Sequence, residues 1–228
     1  MDNQILKVIA EIHNPYSEKF GIPRQSGLIE GLRGRIIFRP EFRTPDAVRG
    51  IEGFSHLWLM WGFSKVTRSG WSATVAPPRL GGKKKMGVFA TRSPFRPNPI
   101  GLSSVKLDRV EFDERLGPIL HVSGIDMLDG TPIYDIKPYL PYSDCHTDAV
   151  GGFGAEVKEH KLNVVFPEEY LNVFPKCERE NIIAILEQDP RTAYIHDDER
   201  EWGVAYAGYN VIFYVVGDTL TVWGVTPL

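Results

Sequence analysis

Thr91-Arg-Ser-Pro-Phe-Arg-Pro-Asn-Pro-Ile-Gly-Leu-Ser103 is the stretch on which the reading of the whole chain turns. Prolines at 94, 97 and 99 fix φ and remove three amide donors, so the segment is neither helix nor central strand. It is a stiff loop that carries two guanidiniums, Arg92 and Arg96, and the side-chain amide of Asn98. Guanidinium suits bidentate contact with a carboxylate or a phosphate. Gly101 permits a close backbone approach where an extended course resumes. The plainer alternative is a rigid connection between strands with arginines on its surface.

Short extended segments surround this loop. Met86–Thr91 precedes it as a predicted strand, and Leu102–Phe112 and Ile119–Ile125 follow as two more. Nearer the N-terminus, Gln4–His13 and Gly34–Phe38 read as strands and Phe54–Phe63 as a buried central strand. Thr44-Pro45-Asp46 opens a brief helix with Thr44 as N-cap and Pro45 in the first position. His56, a lone histidine in the apolar Phe54–Phe63 run, is expected in the core. The character changes at the flexible Ala149-Val-Gly-Gly-Phe-Gly154. Beyond it, Pro167–Gln188 reads as one helical turn and then a helix from Lys176 to Glu187. Trp202–Val216 and Thr219–Val225 read as a hairpin turned by Gly217-Asp218. Strands come first and a small helix-plus-hairpin unit last, which is not the strand–helix alternation of a doubly wound fold. The expectation is a mainly β domain over residues 1–150 and a small α+β domain over residues 151–228.

Charge is divided unevenly. Residues 1–107 carry 17 basic and 7 acidic side chains, a balance of +10, and residues 108–228 carry 9 and 22, a balance of −13. Between Gly53 and Leu107 there is no Asp or Glu, yet Lys65, Arg68, Arg79, Lys83, Lys84, Lys85, Arg92, Arg96 and Lys106 all lie there. Such a segment suits an anionic partner, with nucleic acid first among them. Two solvated surfaces that partly neutralise one another would look the same. No apolar run approaches the roughly 20 residues of a membrane span. No secretory signal is visible and only two cysteines are present, so a reducing, cytoplasmic setting is expected.

Three further motifs carry polar chemistry. In Asp126-Met-Leu-Asp-Gly-Thr-Pro-Ile-Tyr-Asp-Ile-Lys-Pro-Tyr139, Asp129-Gly130-Thr131-Pro132 is a turn, and the alternation after it puts Asp135 and Lys137 on one side. A carboxylate beside an ammonium is a proton acceptor with its electrostatic tuner, or equally a plain surface ion pair. Gly21-Ile-Pro-Arg-Gln-Ser-Gly27 either cradles a polar ligand or is a simple turn. Cys145-His146 beside Asp144 and Asp148 lacks zinc spacing, so no metal is expected. A dinucleotide fingerprint, a phosphate-binding loop and a nucleophile elbow are all missing.

Gly21–Gly27, Phe42-Arg-Thr-Pro-Asp46, Gly53-Phe-Ser-His-Leu-Trp58, Thr91–Ser103 and Asp126–Tyr139, in this order, resemble the TsaA-like family. Its two-part bacterial members are the TrmO tRNA N6-methyltransferases. The resemblance spans about Leu6 to Tyr142, and the acidic C-terminal part is similar to the second domain of the longer bacterial members. It implies a β-barrel methyltransferase rather than a Rossmann one. It also implies S-adenosyl-L-methionine as cofactor and a homodimer with the cofactor near the subunit boundary. The reaction implied is methylation of N6 of N6-threonylcarbamoyladenosine at tRNA position 37, beside the anticodon.

Carried over position by position, the resemblance implies a cofactor pocket of Pro23, Arg24, Gln25, Ser64, Lys65, Arg92, Leu102, Asp129, Gly130, Thr131 and Pro132. Asp135 is then the candidate acceptor of the N6 proton, and Lys137 tunes it or neutralises the threonyl carboxylate. Arg96, with Asn98 beside it, is a second candidate for that carboxylate, and Lys83, Lys84 and Lys85 would meet anticodon-loop phosphates. Two other readings stand beside this one: a non-catalytic RNA-binding barrel with no cofactor, and a small-molecule methyltransferase.

Overall fold

The computed structural model describes residues 5–64, 70–77, 80, 82, 84–154, 161–191 and 200–228. The chain forms two compact units, one from Met1–Asn14, Arg24–Trp71 and Pro94–Cys145, the other from Pro15–Pro23, Ser72–Ser93 and His146–Leu228. It is mainly β, as expected, and the first unit is a barrel.

Six strands build the barrel: β1 (Ala10–His13), β2 (Arg33–Phe38), β3 (His56–Gly62), β6 (Ile100–Asp113), β7 (Gly117–Ser123) and β8 (Thr131–Pro138). They close in the order β1-β2-β7-β6-β3-β8, with every neighbouring pair antiparallel. Closure leaves no sheet edge to protect. Alternation decides what fills the inside. Leu57, Leu59 and Trp61 of β3, Val105 of β6, Leu120 and Val122 of β7 and Ile133 of β8 are buried. Each such side chain contributes about 1.5–3 kcal/mol by leaving water.

The inner face of β3 is buried and the outer face only partly so, which corrects the expectation of a strand covered on both faces. His56 is exposed at its start and does not join the core, while Trp58 and Met60 are half-buried on the outer face. Large apolar residues on both faces made Phe54–Phe63 read as one continuous run. Two other early expectations shrink. Pairing begins only at Ala10, with Ile5 and Leu6 exposed before it. Pro45–Val48 is a 3-10 turn, and Thr44 precedes it without a side-chain cap bond.

Antiparallel closure gathers alternate strand termini. The ends of β1, β3 and β7 and the starts of β2, β6 and β8 meet at one end of the barrel, fixed by the pairs Gly62↔Ile100, Arg33↔Ser123 and Ile12↔Thr131. Helix α1 (Pro141–Asp144) follows β8.

The second unit holds β4 (Thr74–Val75), β5 (Met86–Gly87), β9 (Asn163–Val165), α2 (Glu168–Leu171), α3 (Lys176–Glu187), β10 (Trp202–Tyr206), β11 (Tyr209–Val216) and β12 (Thr219–Pro227). The turn and helix expected over Pro167–Gln188 are both present. Trp202–Val216 is two strands rather than one. Ala207 (φ 48°) and Gly208 (φ 83°) are both left-handed, as a two-residue hairpin turn requires. β9 adds in parallel to β12, giving a sheet of order β10-β11-β12-β9. Met86–Thr91 is a strand only to Gly87, after which Val88–Ala90 coil into a 3-10 turn. No described helix is long and apolar enough to cross a membrane.

Candidate active site

Eight of the residues singled out from sequence, Arg24, Gln25, Ser64, Asn98 and Asp129–Pro132, lie in segments at that one end of the barrel. Arg24 and Gln25 lie ahead of β2, where the Gly27 amide donates to the Gly124 carbonyl just after β7 (2.9 Å). Ser64 follows β3 and is exposed. The Pro-rich loop enters β6 here: the Phe63 amide donates to the Pro99 carbonyl (3.2 Å) and the Ile100 amide to that of Asn98 (2.8 Å). Asp129–Pro132 lead into β8, held by the Gly130 amide donating to the Ile12 carbonyl (2.8 Å).

The Asp129 turn is built to stay open. Gly130 sits at φ 70°, and a Cβ there would meet nothing within 4 Å. Asp129 Oδ1 accepts from the Asn14 amide (3.1 Å) and faces His13 Nδ1 at 3.3 Å. Asn14 in turn donates to the Met127 carbonyl (2.9 Å). Neither His13 nor Asn14 was singled out from sequence, because a strand pattern does not disclose which residue 115 positions away will share its turn.

Below the rim lies a buried relay. Trp61 Nε1 donates to Ser103 Oγ (2.9 Å), and Ser103 Oγ donates to Asp126 Oδ1 (2.6 Å). The Trp61 ring lies over Gly101, where a Cβ would come within 2.2 Å of the indole. Gly101 is therefore required by the indole rather than by a ligand. Phe63 packs against the same ring with centroids 4.5 Å apart.

Asp135 and Lys137 sit farther along β8 on the outer face. Their side chains pair at 2.9 Å, and Asp135 Oδ1 also accepts from the Ile136 amide (2.9 Å). The alternation read from sequence thus holds. The Asp135 side chain stays 43% exposed, and a carboxylate offers about four acceptor positions, so it can still accept a proton. Strand register puts Leu102, Met60 and Asp135 in one row across β6, β3 and β8, with Ser104, Trp58 and Lys137 in the next. Two strand spacings separate Leu102 from Asp135, about 10 Å. Leu102 is 53% exposed, so the row presents an apolar side chain and a carboxylate on one surface.

Pro23, Arg92, Lys84 and Lys85 belong to the second unit. Pro23 is buried, and the other three are exposed. Arg96 is half-buried and Asn98 exposed, both in the first unit. Lys65 and Lys83 lie outside the described residues. Among the described residues no three His, Cys, Asp or Glu side chains gather as a metal site requires.

Residues 11–145 match the family description of the tRNA-methyltransferase O N-terminal domain, and residues 159–228 that of the TrmO C-terminal domain. The chain belongs to the TrmO family. A relative named tRNA (adenine(37)-N6)-methyltransferase, from Escherichia coli K12, is 40% identical over 222 residues, covering 89% of this chain and 94% of its own length. A Pseudomonas aeruginosa protein named a putative S-adenosylmethionine-dependent methyltransferase is 40% identical over 204 residues, 86% of each chain. A crystal structure of TrmO from P. aeruginosa superposes with a TM-score of 0.79 at 33% identity, covering 100% of this chain and 98% of that one. The TrmO fold is thus the barrel fold observed here. Met60 and Trp58, which complete the outer-face rows, join His13 and Asn14 as site neighbours that sequence reasoning missed; their signal is the alternation hidden in Phe54–Phe63.

Proposed function

We infer that this chain is an S-adenosyl-L-methionine-dependent methyltransferase that modifies N6 of the adenosine at tRNA position 37. The reading rests on family membership over both parts of the chain. The observation that carries it structurally is the gathering of Arg24, Gln25, Ser64 and Asp129–Pro132 at one barrel end, with Leu102 and Asp135 on the adjoining outer face. The donor set fits the cofactor. A ligand that carries a sulfonium, an ammonium and a carboxylate needs partners of both signs; Asp129, next to the open Gly130 turn, and Arg24, ahead of β2, offer one of each. Leu102 and Met60 supply apolar surface for its uncharged parts.

When bound, S-adenosylmethionine supplies an electrophilic methyl group. The protein's part is alignment, which accounts for most of the rate in such transfers, and removal of the N6 proton. Asp135 accepts that proton, with Lys137 holding its carboxylate in place. The substrate is N6-threonylcarbamoyladenosine, whose carboxylate suits Arg96, with Asn98 as a further donor. Lys84 and Lys85 bind anticodon-loop phosphates. The enzyme works as a homodimer in the cytoplasm, with residues 1–150 as the catalytic domain and residues 151–228 as an accessory one.

The deciding experiment incubates the purified chain with S-adenosylmethionine and tRNA with or without the threonylcarbamoyl group at position 37. Nucleoside mass spectrometry should find one added methyl only on the threonylcarbamoyl nucleoside. Methylation of plain adenosine, or of neither RNA, overturns the substrate assignment.

A further inference from the structure

Phe89 is held out from the second unit on a turn too well anchored to be an accident of a loose loop. It is 73% exposed, while Val88 beside it is 1% exposed and fixes the turn to the interior. The Val88 amide donates to the Ala73 carbonyl (3.0 Å), and the Val88 carbonyl accepts from both the Thr91 amide (3.1 Å) and Thr91 Oγ1 (2.8 Å). The Ser93 amide then donates to Thr91 Oγ1 (3.3 Å). A two-residue ladder, Thr74↔Gly87 and Val75↔Met86, braces the segment from below. A phenyl ring in water gains nothing from this bracing, so its fixed display is a preorganised contact.

Its surroundings specify the contact. Lys84 and Lys85 precede it and Arg92 follows, all exposed, in a segment without a single Asp or Glu. Exposed cations interleaved with an aromatic ring form the surface that single-stranded nucleic acid recognises: phosphates meet the cations and an unstacked base meets the ring. A duplex offers no free base face, whereas a loop does.

We propose that Phe89 is a stacking platform for an unpaired base of the tRNA anticodon loop, next to the phosphates that Lys84 and Lys85 contact. The proposal rests on the tRNA reading above and adds the residue that grips a neighbouring base. Stacking releases no counterions, so its loss weakens binding equally at all salt concentrations. Loss of a lysine instead flattens the salt dependence.

The test titrates an anticodon stem-loop RNA into the full chain at several salt concentrations. Phe89→Ala should weaken binding about tenfold to a hundredfold with the salt slope unchanged. Phe89→Tyr should restore it, and Phe89→Leu should not, since leucine keeps apolar bulk without a π face. Lys84→Ala and Lys85→Ala should each lower the slope by about 1. At saturating tRNA, Phe89→Ala should keep kcat and raise KM. Unchanged affinity, full rescue by leucine, or a changed slope in Phe89→Ala would overturn the assignment. So would a shift of oligomeric state in sedimentation, which would make the ring a contact between copies of this chain. If wild type binds the stem-loop but methylates nothing, the proposed reaction fails while the Phe89 affinities still decide the stacking.

Discussion

One cluster of titratable groups in the barrel and one in the second unit sit in opposite settings. The barrel carries Asp129, Asp135 and Lys137 on its rim and outer face, where each keeps access to water. In the second unit, Tyr206 is sealed inside with its hydroxyl donating to Glu178 Oε2 (2.5 Å), and Asn181 Nδ2 donates to the same oxygen (3.0 Å). Tyr16 packs edge-on against Tyr206, with ring centroids 5.3 Å apart. An accessible carboxylate held by one cation can exchange protons with a substrate, whereas one beneath buried hydroxyls secures a helix to a sheet. The contrast separates chemistry from architecture, and substitutions in the two places should fail differently.

The largest effect is expected at Asp135. Asp135→Asn should lower turnover about 10²- to 10⁴-fold, the usual share of a positioned proton acceptor. Calorimetric S-adenosylmethionine affinity and the melting temperature should stay close to wild type, because an exposed ion pair is worth at most about 1 kcal/mol. If cofactor binding falls together with turnover, Asp135 is structural and the contrast collapses. Gly101→Ala should act in the opposite manner. Its Cβ would collide with the Trp61 indole, so the barrel should lose about 1–3 kcal/mol in denaturant titration. The Trp61–Ser103–Asp126 relay would be displaced with it.

How far the sequence discloses this contrast depends on the kind of information involved. Proline spacing in Thr91–Ser103 and alternation in Leu102–Phe112, Ile119–Ile125 and Tyr134–Lys137 are local, and the corresponding loop, strands and side-by-side pair are all present. Register is not local. The row Leu102–Met60–Asp135 joins three strands, and the Asn14–Asp129 bond spans 115 positions. The second unit is less legible in the sequence for the same reason. β9 is three residues long and owes its existence to pairing with β12. The turn at Ala207-Gly208 lacks the Asn-Gly pair that would have marked it, and Ala207 bears a left-handed φ that its neighbours impose. Nothing in the Tyr206 or Glu178 segments announced that they would meet.

That meeting predicts an intermediate effect. Glu178→Ala deprives the Tyr206 hydroxyl and the Asn181 amide of their shared acceptor and should destabilise the second unit by about 1–3 kcal/mol. Turnover per folded molecule should be unchanged. Burial first, and then Glu178, push the hydroxyls of Tyr16 and Tyr206 well above the ordinary tyrosine range. The folded state therefore favours neutral phenols, and their stabilisation is complete below the unfolded value near pH 10. It is lost as pH rises from there toward the folded values. Circular dichroism across that alkaline range should show unfolding, and Tyr206→Phe should make the loss shallower. An identical alkaline limb in Tyr206→Phe would show that burial of this hydroxyl is not what limits the unit.

The smallest effect lies at the opposite end of the pH scale, in the barrel. Asp113 closes the turn between β6 and β7, its Oδ1 accepting from the amides of Arg115 and Leu116 at 2.8 Å each. The Leu116 amide foremost, then that of Arg115, holds its carboxyl below the ordinary range, with Arg43 adding to the pull. A depressed folded value stabilises the fold above the unfolded one, near pH 3.9, and that contribution disappears as pH falls through the folded value. Asp113→Asn keeps an oxygen for both amides but cannot titrate. Its stability should lie slightly below wild type at neutral pH, where it lacks only the charge, and decline less steeply below about pH 4 in acid denaturation, where wild type loses that charge too. A mutant with the same acid limb as wild type would mean that other carboxylates govern it. A mutant equal to wild type at neutral pH would mean that the placement of the Asp113 oxygen, and not its charge, holds the turn closed.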